Sequence, residues 1–94
     1  MKEYKFAIHD TSLLSPSLYI LMLSASNIQI TDVKSSVTRV YNYKSIINIK
    51  LSEKHHSEFT FNFIDTSLSF TCKLRTELLT ILYFYKVFTY TANL

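Results

Sequence analysis

Ninety-four residues make one domain, and at 48% hydrophobic with seven Phe and seven Tyr the chain can build a packed interior without disulfides. A charged fraction of 18% is too low for a charge-rich disordered chain, and the ten Lys and Arg behind the net charge of +3 are scattered, with no basic run of the kind that binds nucleic acid. The chain has no glycine, which excludes phosphate-cradling loops and dinucleotide fingerprints, so its turns fall to Asn, Asp, Ser and Pro16.

Tyr4, Phe6 and Ile8 alternate with Lys5, Ala7 and His9, the period of a half-buried strand. Residues 10–17 read as a loop punctuated by Pro16, and residues 18–24 as a strand covered on both faces. Ser26 and Asn27 turn the chain into a third strand that begins at Ile28 and Ile30 and stops at Asp32. After a turn at residues 34–36, residues 37–43 predict a strand with Val37, Tyr41 and Tyr43 on one parity. Residues 45–51 predict the next, with Ile47, Ile49 and Leu51 inward and Ile46, Asn48 and Lys50 outward. A polar loop at 52–57 carries Lys54, His55 and His56, and then Phe59, Phe61 and Phe63 point one way. Asp65 and Thr66 turn into a last strand with Leu68, Phe70 and Cys72 inward.

A helical period then runs from about residue 72 to about residue 90, with Thr71 as the expected N-cap. Leu74, Leu78, Ile81, Leu82, Tyr85 and Phe88 form the stripe expected to plug the sheet. Leu79, Tyr83, Val87 and Tyr90 form a second stripe that a helix lying on one sheet does not need, so either a partner covers it or its residues are simply tolerated at the surface. Seven strands at regular spacing and one closing helix predict an α+β, mostly β domain over residues 1–94: an antiparallel bent sheet, or open barrel, capped by its C-terminal helix.

Catalytic groupings are missing. Asp10, Asp32, Glu58, Asp65 and Glu77 are isolated, no Ser sits in a Gly-flanked elbow, and Cys72 has no nearby His, so a non-catalytic binding module without cofactor or metal is expected. The longest apolar run, residues 18–23, is too short to span a bilayer, and residues 1–17 are too long and acidic to lead a secretory signal, so a soluble intracellular chain is expected. Two binding modes follow from the residues. Lys54, His55 and His56, with His9, could meet an anionic lipid headgroup. Alternatively, Ile46, Asn48 and Lys50 on an edge strand, with Leu79, Tyr83 and Val87 on the helix, could take a protein or extended peptide.

The order of elements resembles the pleckstrin-homology-like group, which includes PH and PTB domains and the third lobe of FERM domains. Val37-Thr38, Tyr41, Tyr43 and Ile46, then Glu58-Phe59, Leu68-Ser-Phe-Thr71 and Arg75-Thr-Glu-Leu-Leu-Thr80, resemble the N-terminal PH-like domain of the endosomal DnaJ-domain family of receptor-mediated endocytosis. That resemblance covers about residues 18–88 and implies recruitment to cytoplasmic faces of endosomal membranes through phosphatidylinositol 3-phosphate. Residues 11–17 hold no Lys, Arg or Trp, so the headgroup contacts fall to His9, Lys54, His55 and His56. The FERM third lobe and PTB domains are the alternative resemblance, and they imply a peptide-binding adaptor.

Overall fold

Alternation gives every strand one inward face, and the computed structural model, which describes residues 2–91 and the side chains of residues 2–88, joins those faces into one core. The strands are β1 (Tyr4–Asp10), β2 (Leu18–Leu23), β3 (Ile28–Asp32), β4 (Thr38–Tyr41), β5 (Asn48–Leu51), β6 (Glu58–Asn62) and β7 (Ser67–Thr71). A 3-10 turn at Tyr43–Ser45 links β4 to β5, and the helix α1 (Arg75–Thr91) follows β7. The seven strands form one antiparallel sheet in the order β4-β3-β2-β1-β7-β6-β5. Its two ends, β4 and β5, do not pair, so the sheet bends without closing into a barrel. With its single C-terminal helix this is the PH-like α+β architecture.

Register carries the inward residues across the sheet in rungs. Phe6, Leu21, Ile30 and Arg39 lie side by side on β1 to β4, and Ile8, Tyr19 and Asp32 form the next rung. On the other half, Phe70, Phe59 and Leu51 share a rung, as do Leu68, Phe61 and Ile49. Tyr41 and Phe63 stack at 4.9 Å between ring centroids, an apolar bridge across the gap between β4 and the second half.

Turns work without glycine because Asp side chains mimic backbone acceptors. Asp10 Oδ1 accepts the N–H groups of Ser12 (3.1 Å) and Ser17 (3.2 Å) in the β1–β2 loop. Asp32 Oδ1 accepts those of Lys34 (2.9 Å) and Ser35 (3.4 Å) in the β3–β4 loop. Ser36 there adopts φ 62, the left-handed region that glycine would normally occupy.

Several details differ from the sequence reading. Ile20 and Met22 are only half-buried, so β2 is not covered on both faces. Tyr43–Ser45 is a 3-10 turn rather than part of the two expected strands, with extended backbone at Asn42 and Ile46 on either side of it. In a 3-10 turn, side chains three apart lie on one side, so Tyr43 and Ile46 turn inward together, and each is 1% exposed. Ile47 is thrown outward at 58% exposed, the reverse of its expected parity. The helix begins at Arg75 rather than Cys72, because Thr71 remains in the sheet, paired with His9 and Glu58. Thr71 is therefore a strand residue and not a cap.

Leu78, Leu82 and Tyr85 are buried as expected, but Leu79 joins them at 7% exposed, while Leu74 and Phe88 are exposed. The helix lies in the concave side of the bent sheet, so its buried arc reaches round to Leu79. Lys86 fastens that flank: its Nζ donates to the carbonyls of Tyr43 (3.0 Å) and Ile46 (2.8 Å). Tyr90, the last member of the second stripe, lies outside the described side chains. Cys72 is buried, and burial pushes its thiol up from the ordinary value, with Glu77 adding a smaller push against a backbone hydrogen bond from Leu74.

Candidate functional site

The outer edge of β5 is the first candidate. Among the described residues β5 pairs only with β6, through Asn48–Asn62, Ile49–Phe61, Lys50–Thr60 and Leu51–Phe59. Just beyond, Ser52 N–H donates to the Glu58 carbonyl at 3.2 Å. In an antiparallel ladder, bonded residues alternate with unbonded ones. Ser52, Lys50 and Asn48 therefore direct their backbone groups at β6, and Ile49 and Leu51 direct theirs at the open edge. Beside these groups stand the exposed side chains of Ile47 and Leu51 and the half-buried Ile49. An edge with free amides and apolar side chains is a template for an added strand.

The expected partner residues divide at this edge. Ile46 and Leu79 are buried in the core and offer nothing to a ligand. Asn48 and Lys50 are exposed on the outer face, where Asn48 Oδ1 accepts from Asn62 Nδ2 at 2.6 Å. Tyr83 and Val87 are exposed on the helix. Tyr83 lies one turn from Leu79 and three residues from Lys86, on the flank beside the 3-10 turn that leads into β5. The expected edge strand over residues 45–51 is there, and the residue that sequence reasoning missed is Ile47, whose side chain is exposed where Ile46 was expected. The 3-10 turn before the strand resets the parity, and periodicity read along the strand does not carry that reset.

The proposed headgroup residues are all exposed. His9 and His55 line one surface groove of about 400 Å³, together with Leu13 and Pro16. The groove forms because His9, Thr71 and Glu58 are neighbours across β1, β7 and β6, and the 52–57 loop ends there. Lys54 shares a second, open depression with His55 and Lys50, and His56 lines neither. The carboxylates of Asp10 and Glu58 line the His9–His55 groove as well, and both oppose an anionic headgroup. Leu13 and Leu14, each 99% exposed, project from the adjoining loop.

Arg75, prominent in the sequence string, holds structure rather than ligand. Its guanidinium donates to the carbonyls of Glu58 (2.8 Å) and Ser52 (3.4 Å) and so ties the base of the β5–β6 loop to the start of α1. Among the described residues, no three His, Cys, Asp or Glu side chains are grouped to hold a metal ion. No helix there is long and apolar enough to cross a membrane. No protein-family model matches the chain, and no curated protein matches it.

Proposed function

We propose that the chain is a non-catalytic PH-like recruitment module that captures an extended peptide on β5, as the FERM third-lobe and PTB resemblance implies. The observation that carries this reading is the position of β5 at the end of the sheet, with the backbone groups of Ile49 and Leu51 turned to the open edge, unpaired among the described residues, and Ile47 and Leu51 exposed beside them. Main-chain hydrogen bonds supply affinity in strand addition, and side-chain contacts on alternate residues supply selectivity. Tyr83, on the neighbouring helix flank, would contact the peptide's apolar side chains. Its ring is exposed, so Tyr83→Ala removes contact area without opening the core.

A second reading, contact with an endosomal membrane carrying phosphatidylinositol 3-phosphate, rests on the His9–His55 groove and the exposed Leu13 and Leu14 beside it. The acidic Asp10 and Glu58 in the same groove make it the weaker of the two.

Amide hydrogen exchange separates them. In the free protein the Lys50 amide should exchange slowly and those of Ile49 and Leu51 fast. Peptides selected from a random display library should slow Ile49 and Leu51, and Leu51→Lys should abolish capture with the fold retained. Selected peptides that protect amides elsewhere would overturn the β5 reading. Pelleting with phosphatidylinositol 3-phosphate vesicles, lost on changing Leu13 and His55, would put the membrane reading in its place.

A further inference from the structure

β1 and β7 separate beyond the pair Asp10–Phe70, because β1 ends at Asp10 while β7 begins three residues earlier, at Ser67. The two halves of the sheet diverge there and enclose a cleft of about 410 Å³, none of whose lining belongs to α1. Tyr19, Ile30 and Tyr41 line it from the first half of the sheet, and Leu68 and Phe70 from the second. Tyr19 meets Phe70 edge-on at 5.6 Å, which fixes the back of the cleft.

Three charged side chains also line the cleft: Asp10, Asp32 and Arg39. The two carboxylates are engaged by loop N–H groups, as described above. Arg39, exposed on β4 opposite Ile30, has no hydrogen bond or ion pair from its guanidinium to any described residue. The ladder adds a backbone donor. Phe63 N–H bonds the Thr66 carbonyl and Cys72 N–H bonds that of Ser57, so Leu68 and Phe70 are the residues of β7 bonded to β6. Ser69 therefore turns its N–H toward the side that β1 has vacated.

Small-molecule sites are apolar hollows of this size with a few polar groups that fix orientation. An unpaired guanidinium matches the two oxygens of a carboxylate in a bidentate pair. The two aspartates in the same lining raise the energy of any further negative charge, which disfavours a dianion. We propose that this cleft binds a small monocarboxylate with an apolar tail, its carboxylate on Arg39 and the Ser69 N–H and its tail among Ile30, Leu68 and Phe70. The cleft is separate from the β5 edge, so either assignment can fail without the other.

The probe is octanoate, titrated into isotope-labelled protein and followed by amide and methyl NMR. Saturable shifts centred on Ile30, Leu68, Ser69 and Phe70 are expected. Octanol, of similar shape without the charge, should bind more weakly, and octyl phosphate no more tightly than octanoate. Arg39→Gln should weaken octanoate roughly ten- to hundred-fold, the size of a lost charge-assisted hydrogen bond. The side chain is exposed, so an unchanged spectrum elsewhere will show that the variant is folded. Shifts that do not saturate or that map to the outer face would overturn the proposal. So would equal affinity for octanol, tighter binding of octyl phosphate, or an Arg39→Gln variant that binds as well as the parent.

Discussion

The inner face of the sheet has two ends with the same alternation and opposite fates. In the core capped by the helix, Phe6, Leu23, Ile28, Tyr43, Ile46 and Phe59 join Leu78, Leu82 and Tyr85 in one buried cluster. At the other end, the inward positions hold Tyr19, Asp32, Val37, Arg39 and Leu68, none of them fully buried, around an open cleft. Period decides which way a side chain points, but cover depends on what crosses above it. The helix covers one end. At the other, β1 stops short of the full length of β7 and the halves part. The lesson is that a strand's length, as much as its pattern, determines whether its inward face becomes core or pocket.

The largest contrast should appear in truncations. Leu82 is fully buried under the sheet, so Leu82→Ala should cost about 2–5 kcal/mol, read as a shift in urea midpoint at constant slope. Val37, inward but exposed at the cleft, should tolerate Val37→Ala within about 0.5 kcal/mol. Equal losses at the two positions would mean that the cleft is closed in solution and the contrast is false.

Tyr43 sharpens the capped end. Its buried hydroxyl donates to the Ser24 carbonyl, so Tyr43→Phe, which leaves that acceptor without its donor, should cost about 1–3 kcal/mol near neutral pH. Burial first, then neighbouring Tyr85, pushes this hydroxyl far above its ordinary value of 10.0, and the hydrogen bond to Ser24 offsets only part of the push. A folded-state value raised above the unfolded one means full stability below about pH 10, where both states keep the proton. Above that pH the unfolded chain releases the proton first, so stability falls by up to about 1.4 kcal/mol per pH unit for this group. The Phe variant should lose stability less steeply over that range. Parallel alkaline curves for the two proteins would place the hydroxyl in solvent.

Most of the sheet was legible because its strands alternate cleanly. Phe59, Phe61, Phe70 and Cys72 point inward as their parity requires. The failures cluster where backbone type changes without a sequence signal. Tyr43 and Ser45 read as the end of one strand and the start of the next, and the 3-10 geometry there puts Ile46 inside and Ile47 outside. Helical period sets Leu79 on an outer stripe because it fixes angles between side chains, not the width of the surface that receives them. The site was harder still. His9 and His55 share a groove through strand pairing, a tertiary fact with no local pattern behind it, and the expected edge strand carries its exposed side chain at Ile47 rather than at Ile46.

The smallest expected effect lies at the open end. Ser36 is the one residue without a permissive backbone held at positive φ among those described, and a left-handed conformation costs a non-glycine residue about 1 kcal/mol. The loop enforces it from both sides: Ser36 N–H donates to the Asp32 carbonyl at 2.8 Å, and Asp32 N–H to the Val37 carbonyl at 2.9 Å. Ser36→Gly relieves the strain, while the freedom that glycine adds to the unfolded chain removes part of the gain, leaving about 0.5 kcal/mol of added stability. Ser35 and Val37 line the cleft on either side, so the same variant also asks what shapes that end. If Arg39 and the strand ends define the cleft, octanoate affinity will be unchanged in Ser36→Gly as the thermal midpoint rises. A loss of octanoate affinity with the stability gain intact would instead make the strained loop, rather than the early end of β1, the feature that holds the cleft open.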